Sequence, residues 1–397
     1  MCAVEWKSLE ELGNFYGGLS GKSKEDFQDG NAKFVTYMNV YSNMSLDFTI
    51  VDMVKVGEDE KQNSIKYGDI LFTGSSETPD DCGMSCVVTR HIDEPIYLNS
   101  FCFGFRFDDV EKFEPDFLKH YFRCIAMRKA ISLTASGVTR FNVSKKRFGK
   151  IQIPLLHVSK QQEIVSHLDT FTTLISNLES ELDMRRKQYE HYRNQLLDIS
   201  EKDSKYIVPF GDICKIIRGN GVQKADFVEE GFGCIHYGQI YTHYGSYSYT
   251  TNRFVSQDVF NKAVKASKGD IIMTDTSENV EDICKSVAYL GDEDIAVSNH
   301  SFIIKHNQNP KYLSFCTLTY SFGLQKKKVV FGAKVSSIKQ DNLAKINIYL
   351  PPIEEQNQIV EKLDAFENLI QSLEQEIKLR KQQYEYYREK LLTFEKE

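Results

Sequence analysis

The sequence predicts an α+β protein in which two mixed α/β globular domains alternate with two long helices that pair as an antiparallel coiled coil. Residues 150–199 and 345–394 align at a constant offset of 195 without a gap and are identical at 23 of 50 positions, the mark of an internal duplication. In each copy the apolar residues step by alternating fours and threes with no Gly or Pro along the seam, which is the pattern of a coiled-coil helix. The segments before the two copies carry short β-rich runs and turn signals and resemble each other only in outline, as two diverged α+β domains would.

In chain order, residues 1–149 form the first globular domain, 150–204 the first helical region, 205–344 the second domain and 345–397 the second helical region. The first seam runs Ile164, Leu168, Phe171, Ile175, Leu178, Leu182, Arg185, Tyr189, Tyr192, Leu196, and the second repeats it from Ile359 to Leu391. Each helix is expected to span about 40 residues, hence about 60 Å at about 1.5 Å per residue. Ser159 with Gln162 three residues on reads as a capping box for the first helix. Pro351-Pro352 ends a strand just ahead of the second. A helix with one apolar seam needs a partner, and its own copy is the natural one. Because the order is globule, helix, globule, helix, the seams pair antiparallel, giving a rod with a globular domain at each end. Arg185 and Arg380 fall on the seam, where they either fix register through carboxylates such as Glu181 and Glu376 or snorkel outward.

The chain has 397 residues, 41% of them hydrophobic and 12% aromatic, enough for real cores. No apolar run of membrane-spanning length occurs, and "MCAVEWKSLEEL" at the start has neither a basic head nor an apolar stretch, so neither a signal peptide nor a span is expected. Nine scattered cysteines suit the reducing cytoplasm. Cys82 and Cys86 lack a second pair to complete a zinc site, so no metal is expected and they read as buried thiols. The net charge of −7 hides a local pattern. Residues 119–150 carry nine Lys/Arg and no Asp or Glu, and residues 311–345 carry seven Lys and one Asp. Two basic segments at matching positions, each just before a repeated helix, point to phosphate binding on an otherwise acidic protein.

The globular domains match in short motifs. "FVTYMNVY" (34–41) aligns with "CIHYGQIY" (234–241), and "YGDILFTGSSE" (67–77) with "KGDIIMTDTSE" (268–278). Asn39 and Gln239 occupy one equivalent position, and a side-chain amide can hold adenine in a bidentate way from the major groove. Tyr241 and Thr274, from the same matched motifs, join them as candidates. Lys24 and Lys224 lie in Gly-containing loops suited to close approach to phosphate. Thr139, Arg140, Lys145, Lys146 and Arg147 in the first domain, and Lys326, Lys327, Lys328 and Lys334 in the second, complete the expected DNA-binding set.

Catalytic signatures are missing. "GGLSGKS" (17–23) has Tyr16 where a nucleotide-binding loop needs its first Gly, and "YLPPIEE" has Leu350 where an amino-methyltransferase needs a polar residue. Acidic clusters such as "TPDDC" lack a nuclease's spaced carboxylates and Lys, and no His pairs convincingly with a Ser or Cys nucleophile. The chain reads as a reader without a catalyst.

Two divergent domains alternating with two near-identical helices, the second opened by "KINIYLPPIEEQNQIVEKLD" and closed by "QQYEYYREKLL", resemble the specificity subunit of Type I restriction–modification systems over essentially the whole chain. The stretch 210–245 also looks like one class of target recognition domain. The first helix start departs from the family pattern, with Leu156-His157 for the two prolines and Lys160 for an acidic residue. The resemblance implies that each domain reads one half of a bipartite, asymmetric DNA target, with the rod as a ruler of at most about two DNA turns. It implies two methyltransferase subunits docked on the helices, with Gln161, Gln356, Tyr189, Tyr192, Tyr384 and Tyr387 as the candidate partner-facing residues. It implies no cofactor on this chain: S-adenosylmethionine, and ATP with Mg for a motor endonuclease subunit, would belong to partners. Two other readings remain, a stand-alone DNA-binding regulator with two heads and a purely structural coiled-coil adaptor.

Overall fold

The structure, a computed structural model, describes residues 4–332 and 335–394. It divides into two compact units, residues 1–179 with 375–397 and residues 180–374, so each unit holds one globular region and part of both long helices. The helices run Val158–Leu197 and Ile353–Leu392, 40 residues each.

Within each unit the two helices run antiparallel, and duplicate residues make duplicate contacts. In the first unit Phe171 stacks on Tyr387 with ring centroids 5.3 Å apart, and Glu179 Oε1 lies 2.7 Å from Lys381 Nζ. In the second unit the counterparts repeat this: Tyr192 stacks on Phe366 at 5.4 Å, and Arg186 Nη2 lies 2.6 Å from Glu374 Oε1. The seam arginines bond along their own helices. Arg185 reaches Glu181 (3.2 Å) and Gln188 (3.0 Å), and Arg380 reaches Glu376 (2.9 Å) and Gln383 (3.0 Å). Partners on the same helix cannot set register between helices, so the carboxylates next to these arginines stiffen one face instead.

The start of the first helix differs from expectation. Val158 is already helical, and the His157 carbonyl accepts from Lys160 N (2.9 Å) and Gln161 N (3.2 Å). Its imidazole Nδ1 accepts from Ser159 N (3.3 Å), so His157 caps the helix and Ser159 sits inside the first turn. The second helix follows strand Asn347–Tyr349, and Pro351-Pro352 breaks the chain between them as expected.

The globular regions share one plan despite their divergence. In the first unit a four-stranded antiparallel sheet has the order Gly13–Gly17, Cys102–Phe107, Ile70–Thr73, Ser85–Val87. In the second, Cys214–Arg218, Ser301–His306, Ile271–Thr274, Ser286–Tyr289 take the same places, with Tyr247–Ser248 added at the edge. A second sheet in each unit pairs its central strand in parallel with one neighbour and antiparallel with another: Ala32–Val35 in one, Phe232–Ile235 in the other. The cores continue onto the helices. Phe72, Phe105, Phe122 and Phe148 pack in one cluster with Ile164, Leu168 and Ile175, and Phe210, Tyr312, Phe315 and Phe322 in another with Ile359, Val360 and Leu363. That packing explains why the helix starts keep the same apolar residues while the domains drift.

Candidate nucleic-acid interface

Each unit has a short helix where the matched "YMNVY" and "YGQIY" motifs fall, Tyr37–Ser42 and Tyr237–Thr242. Polar caps start both: Thr36 Oγ1 accepts from Asn39 N (3.2 Å), and His236 Nδ1 accepts from Gly238 N (3.2 Å). Asn39 is buried, and its amide is used up. Nδ2 donates to the carbonyls of Asp47 and Ile50 at 2.7 Å each, while Oδ1 accepts from Asn43 Nδ2 (3.0 Å) and Asp47 N (3.2 Å). Gln239 accepts from His236 N (2.8 Å) and donates to Asn252 Oδ1. Both equivalent amides therefore hold the loop that follows them. Both amide hydrogens and both oxygen lone pairs of Asn39 are taken, so a bidentate adenine contact there would break those bonds, at about 1–3 kcal/mol for each group left unpaired, and Asn39 is corrected to a loop clamp. Gln239 spends only one N–H and one lone pair on its bonds and is half-buried beside a groove. Thr274 is fully buried in the strand Ile271–Thr274 and is corrected likewise. The Tyr241 hydroxyl donates to the Thr276 carbonyl at 2.5 Å.

The basic segments are partly internal. Arg123 donates to the carbonyls of Tyr41 (3.1 Å), Asn43 (3.0 Å) and Ser85 (2.8 Å), and Arg128 to those of Gly83 (2.6 Å), Asp80 (2.7 Å) and Cys82 (2.8 Å). Lys326 performs the same task in the second unit. It is buried, its ammonium donates to the Glu281 and Ile283 carbonyls at 2.8 Å each, and burial pushes its pKa down. The expected phosphate contact at Lys326 is thus corrected: an ammonium committed to two carbonyls behind a turn does not face solvent. The turns it and Arg128 brace are equivalent, since Gly83 and Cys284 both take φ near 65°. Lys327 lies 3.3 Å from Glu281 and stays exposed, as does Lys328. Lys334 lies outside the described residues.

Exposed cations remain at Lys24, Lys145, Lys146, Arg147 and Lys224. Lys145 Nζ sits 5.2 Å over the Phe103 ring, and Arg147 reaches the Leu133 and Ala135 carbonyls at 3.5 and 3.4 Å. Thr139 and Arg140 are exposed on a hairpin formed by Ala135–Ser136 and Phe141–Val143. They line a groove of about 620 Å³ with Tyr37 and Tyr41 of the short helix. In the second unit a groove of about 770 Å³ lies against the equivalent helix, lined by Lys224, His236, Gln239 and Arg253. Burial lowers the His236 pKa, which keeps that imidazole neutral beside Lys224. Arg253 and His236, like Ser75 and Phe101 beside Arg140, were not singled out from the sequence. They come from strands and loops far apart in the chain, and only the "YGDILFTGSSE" match pointed to the Ser75 region.

Of the six expected partner-facing residues Gln161, Gln356 and Tyr384 are buried, Tyr189 and Tyr387 are half-buried and Tyr192 is exposed. Gln161 and Gln356 are buried and clamp equivalent backbone amides, Glu114 N at 2.9 Å and Asn309 N at 3.2 Å. Tyr189 donates to Glu367 Oε1 (2.8 Å), and the Tyr384 hydroxyl lies 2.9 Å from His120 Nδ1. Tyr192 and Tyr387 form the aromatic stacks already described. Among the described residues no group of three or more His, Cys, Asp or Glu could hold a metal ion, and Cys82 and Cys86 are buried thiols. No described helix is long and apolar enough to cross a membrane.

A duplicated domain plan, each copy with a mixed groove beside the same short helix, defines a two-domain class of protein. The chain belongs to the family of the type I restriction modification DNA specificity domain, whose model matches residues 3–184 and 201–379, one match in each half. It is 30% identical over 305 residues, 72% of this chain and 73% of the other, to a Haemophilus influenzae protein described as a type I restriction enzyme specificity subunit. It is 30% identical over 253 residues to the EcoR124I/EcoR124II specificity subunit of Escherichia coli, covering 59% of this chain and 60% of that one. Among solved structures, a chain from a study of complex assembly and conformational transition of the type I R-M system superposes with a TM-score of 0.64 at 14% identity, over 99% of this chain and 98% of that one. The S subunit from M. genitalium gives 0.52 at 14% identity, over 100% and 98%.

Proposed function

We propose that each globular region reads one half of a bipartite, asymmetric DNA target, that the paired helices set the distance between the halves, and that methyltransferase subunits dock on this chain. The observation that carries the reading is the duplicated scaffold with unlike grooves. The packing between helix and domain is kept, while the grooves open against different positions of the matched short helix: Tyr37 and Tyr41 with Arg140, Glu77 and Asp81 in one, His236, Gln239 and Thr242 with Lys224, Arg253 and Glu229 in the other. Alike supports with different contact surfaces fit two readers of different sequences. Exposed Lys145, Lys146, Arg147, Lys24 and Lys327 would neutralise phosphates around the bases being read. The chemistry belongs to partners: methyltransferase subunits would transfer the methyl group of S-adenosylmethionine to adenine, and a motor endonuclease would use ATP and Mg. The cytoplasm is the compartment this role requires.

A binding comparison separates this from a stand-alone regulator. The chain alone and its co-purified complex with the candidate modification subunit are titrated with a pool of genomic fragments at two salt concentrations. The proposal expects sequence-selective binding to require the complex. Selective, tight binding by the chain alone, unchanged by the modification subunit, would sink it and establish the regulator.

A further inference from the structure

The hairpin carrying Val138, Thr139 and Arg140 is built as a probe. Its strands pair Ala135 with Val143 and Ser136 with Asn142, and Asn142 pairs in turn with Ser75. Gly137 closes the turn with φ 152°, where a Cβ would stand 1.9 Å from the Arg140 carbonyl, so the tight return needs glycine. Gly332 in the second unit has φ 113° and meets the Val335 carbonyl at 2.0 Å in the same way. The duplicated turn thus keeps its glycine and changes its side chains, Arg140 in one copy and Val335 in the other. At the tip Val138 is 92% exposed, and Phe101 and Met38 beside the groove are each 58% exposed. Phe101 and Met38 both line the groove, so they add apolar surface beside Arg140 that a base or its methyl group can cover.

Arg140 is held, not loose. Its guanidinium lies 5.5 Å over the Phe101 ring, and Nε and Nη2 donate to Ser75 Oγ at 3.1 and 2.9 Å. That seat leaves Nη1 with no protein hydrogen-bond partner among the described residues, on a side chain that lines the groove. The same groove contains the carboxylates of Glu77 and Asp81. Two carboxylates repel a phosphate but accept well from exocyclic base amines, so the groove suits base edges better than backbone.

Resting on the DNA-reading role proposed above, we propose that this hairpin enters the major groove at one half-site and that Arg140 reads a guanine there through O6 and N7. A two-stranded ribbon fits the major groove, and a bidentate Arg–guanine pair is its commonest specific contact. Ser75 and Phe101 act as positioning residues, fixing the fork before DNA arrives.

The test compares methylated motifs produced in a host lacking adenine methylation by complexes carrying wild type, Arg140→Ala, Arg140→Lys and Ser75→Ala. The wild-type map first establishes whether a split motif exists, so failure of the underlying reading shows there, independently of Arg140. Arg140→Ala is expected to relax one G·C position in one half-site, with discrimination falling roughly ten- to a hundredfold, while the other half-site is unchanged. Arg140→Lys keeps charge but not the fork, so it should relax the same position. Ser75→Ala should do so more weakly. An unchanged motif in Arg140→Ala overturns the proposal. So does a loss that is uniform across sequences and restored by Arg140→Lys, which would make Arg140 a phosphate contact. If the alanine variant gives no complex, the lysine and Ser75 variants decide by the same criterion.

Discussion

Lys326 shows how a residue type misleads when its surroundings are unseen. In the sequence it is the first of three lysines in a basic run, and the natural inference is phosphate neutralisation. In the fold it closes two carbonyls of the 281–283 turn, as Arg128 does for the matching turn. Lys326→Ala should therefore lower stability by about 2–4 kcal/mol, from unpaired buried carbonyls and the vacated space, with little change in salt dependence beyond that. Denaturant unfolding beside a DNA titration checks this; a stable variant with a shallower salt slope would restore the phosphate role. His120 carries a second prediction. It is buried between Tyr384 and Asp169, with Lys119 and Asp116 nearby, and desolvation, the largest influence, holds its pKa below the ordinary histidine value. The unfolded chain then binds a proton near pH 6.5 that the folded chain does not. Stability should be full above that pH and fall as pH drops through it toward the folded value. His120→Asn should flatten the dependence of the urea midpoint between pH 7.5 and 5.5, leaving the part due to His236 and His306, whose pKa values burial also lowers. An identical slope in the variant would contradict this. Neither role was legible in the sequence, because each depends on carbonyls or side chains brought together only by the tertiary fold.

At the scale of elements the sequence was far more informative. A period repeated over some forty residues is a property of the chain alone, so both long helices, their antiparallel pairing and the proline break before the second were legible. The missed cap has a plain cause: His157 is not a standard capping residue, whereas Ser159 is. The pairing makes its own prediction. Glu179→Lys should place a cation against Lys381 and destabilise by about 0.3–1 kcal/mol, the range of exposed pairs, and Glu179→Lys with Lys381→Glu should recover most of it. The same exchange at Arg186 and Glu374 should behave alike. Non-additivity absent at both sites would argue against this register. Leu363→Ala, in a fully buried position that joins the second helix to its domain, should cost about 2–5 kcal/mol in thermal or denaturant unfolding.

For the whole molecule, duplication explains why the supports stay alike while the surfaces diverge. Gln161 and Gln356 clamp equivalent loops, and Phe171–Tyr387 and Phe366–Tyr192 repeat one stack, because every such contact is fixed by a helix whose face is already committed. The grooves face outward and carry no such constraint, which is why the sequence misassigned Asn39 and Thr274, whose side chains are committed beneath that surface. The measurement that tests the central claim most directly is a genome-wide map of methylated adenines, by single-molecule sequencing, from a methylation-deficient host expressing this chain with its candidate modification subunit. Two readers held apart by paired helices predict one split, asymmetric motif with one methylated adenine on each strand, its halves separated by a fixed spacer of no more than about two DNA turns. A continuous or palindromic motif, or no motif from a complex shown to be assembled, would contradict it.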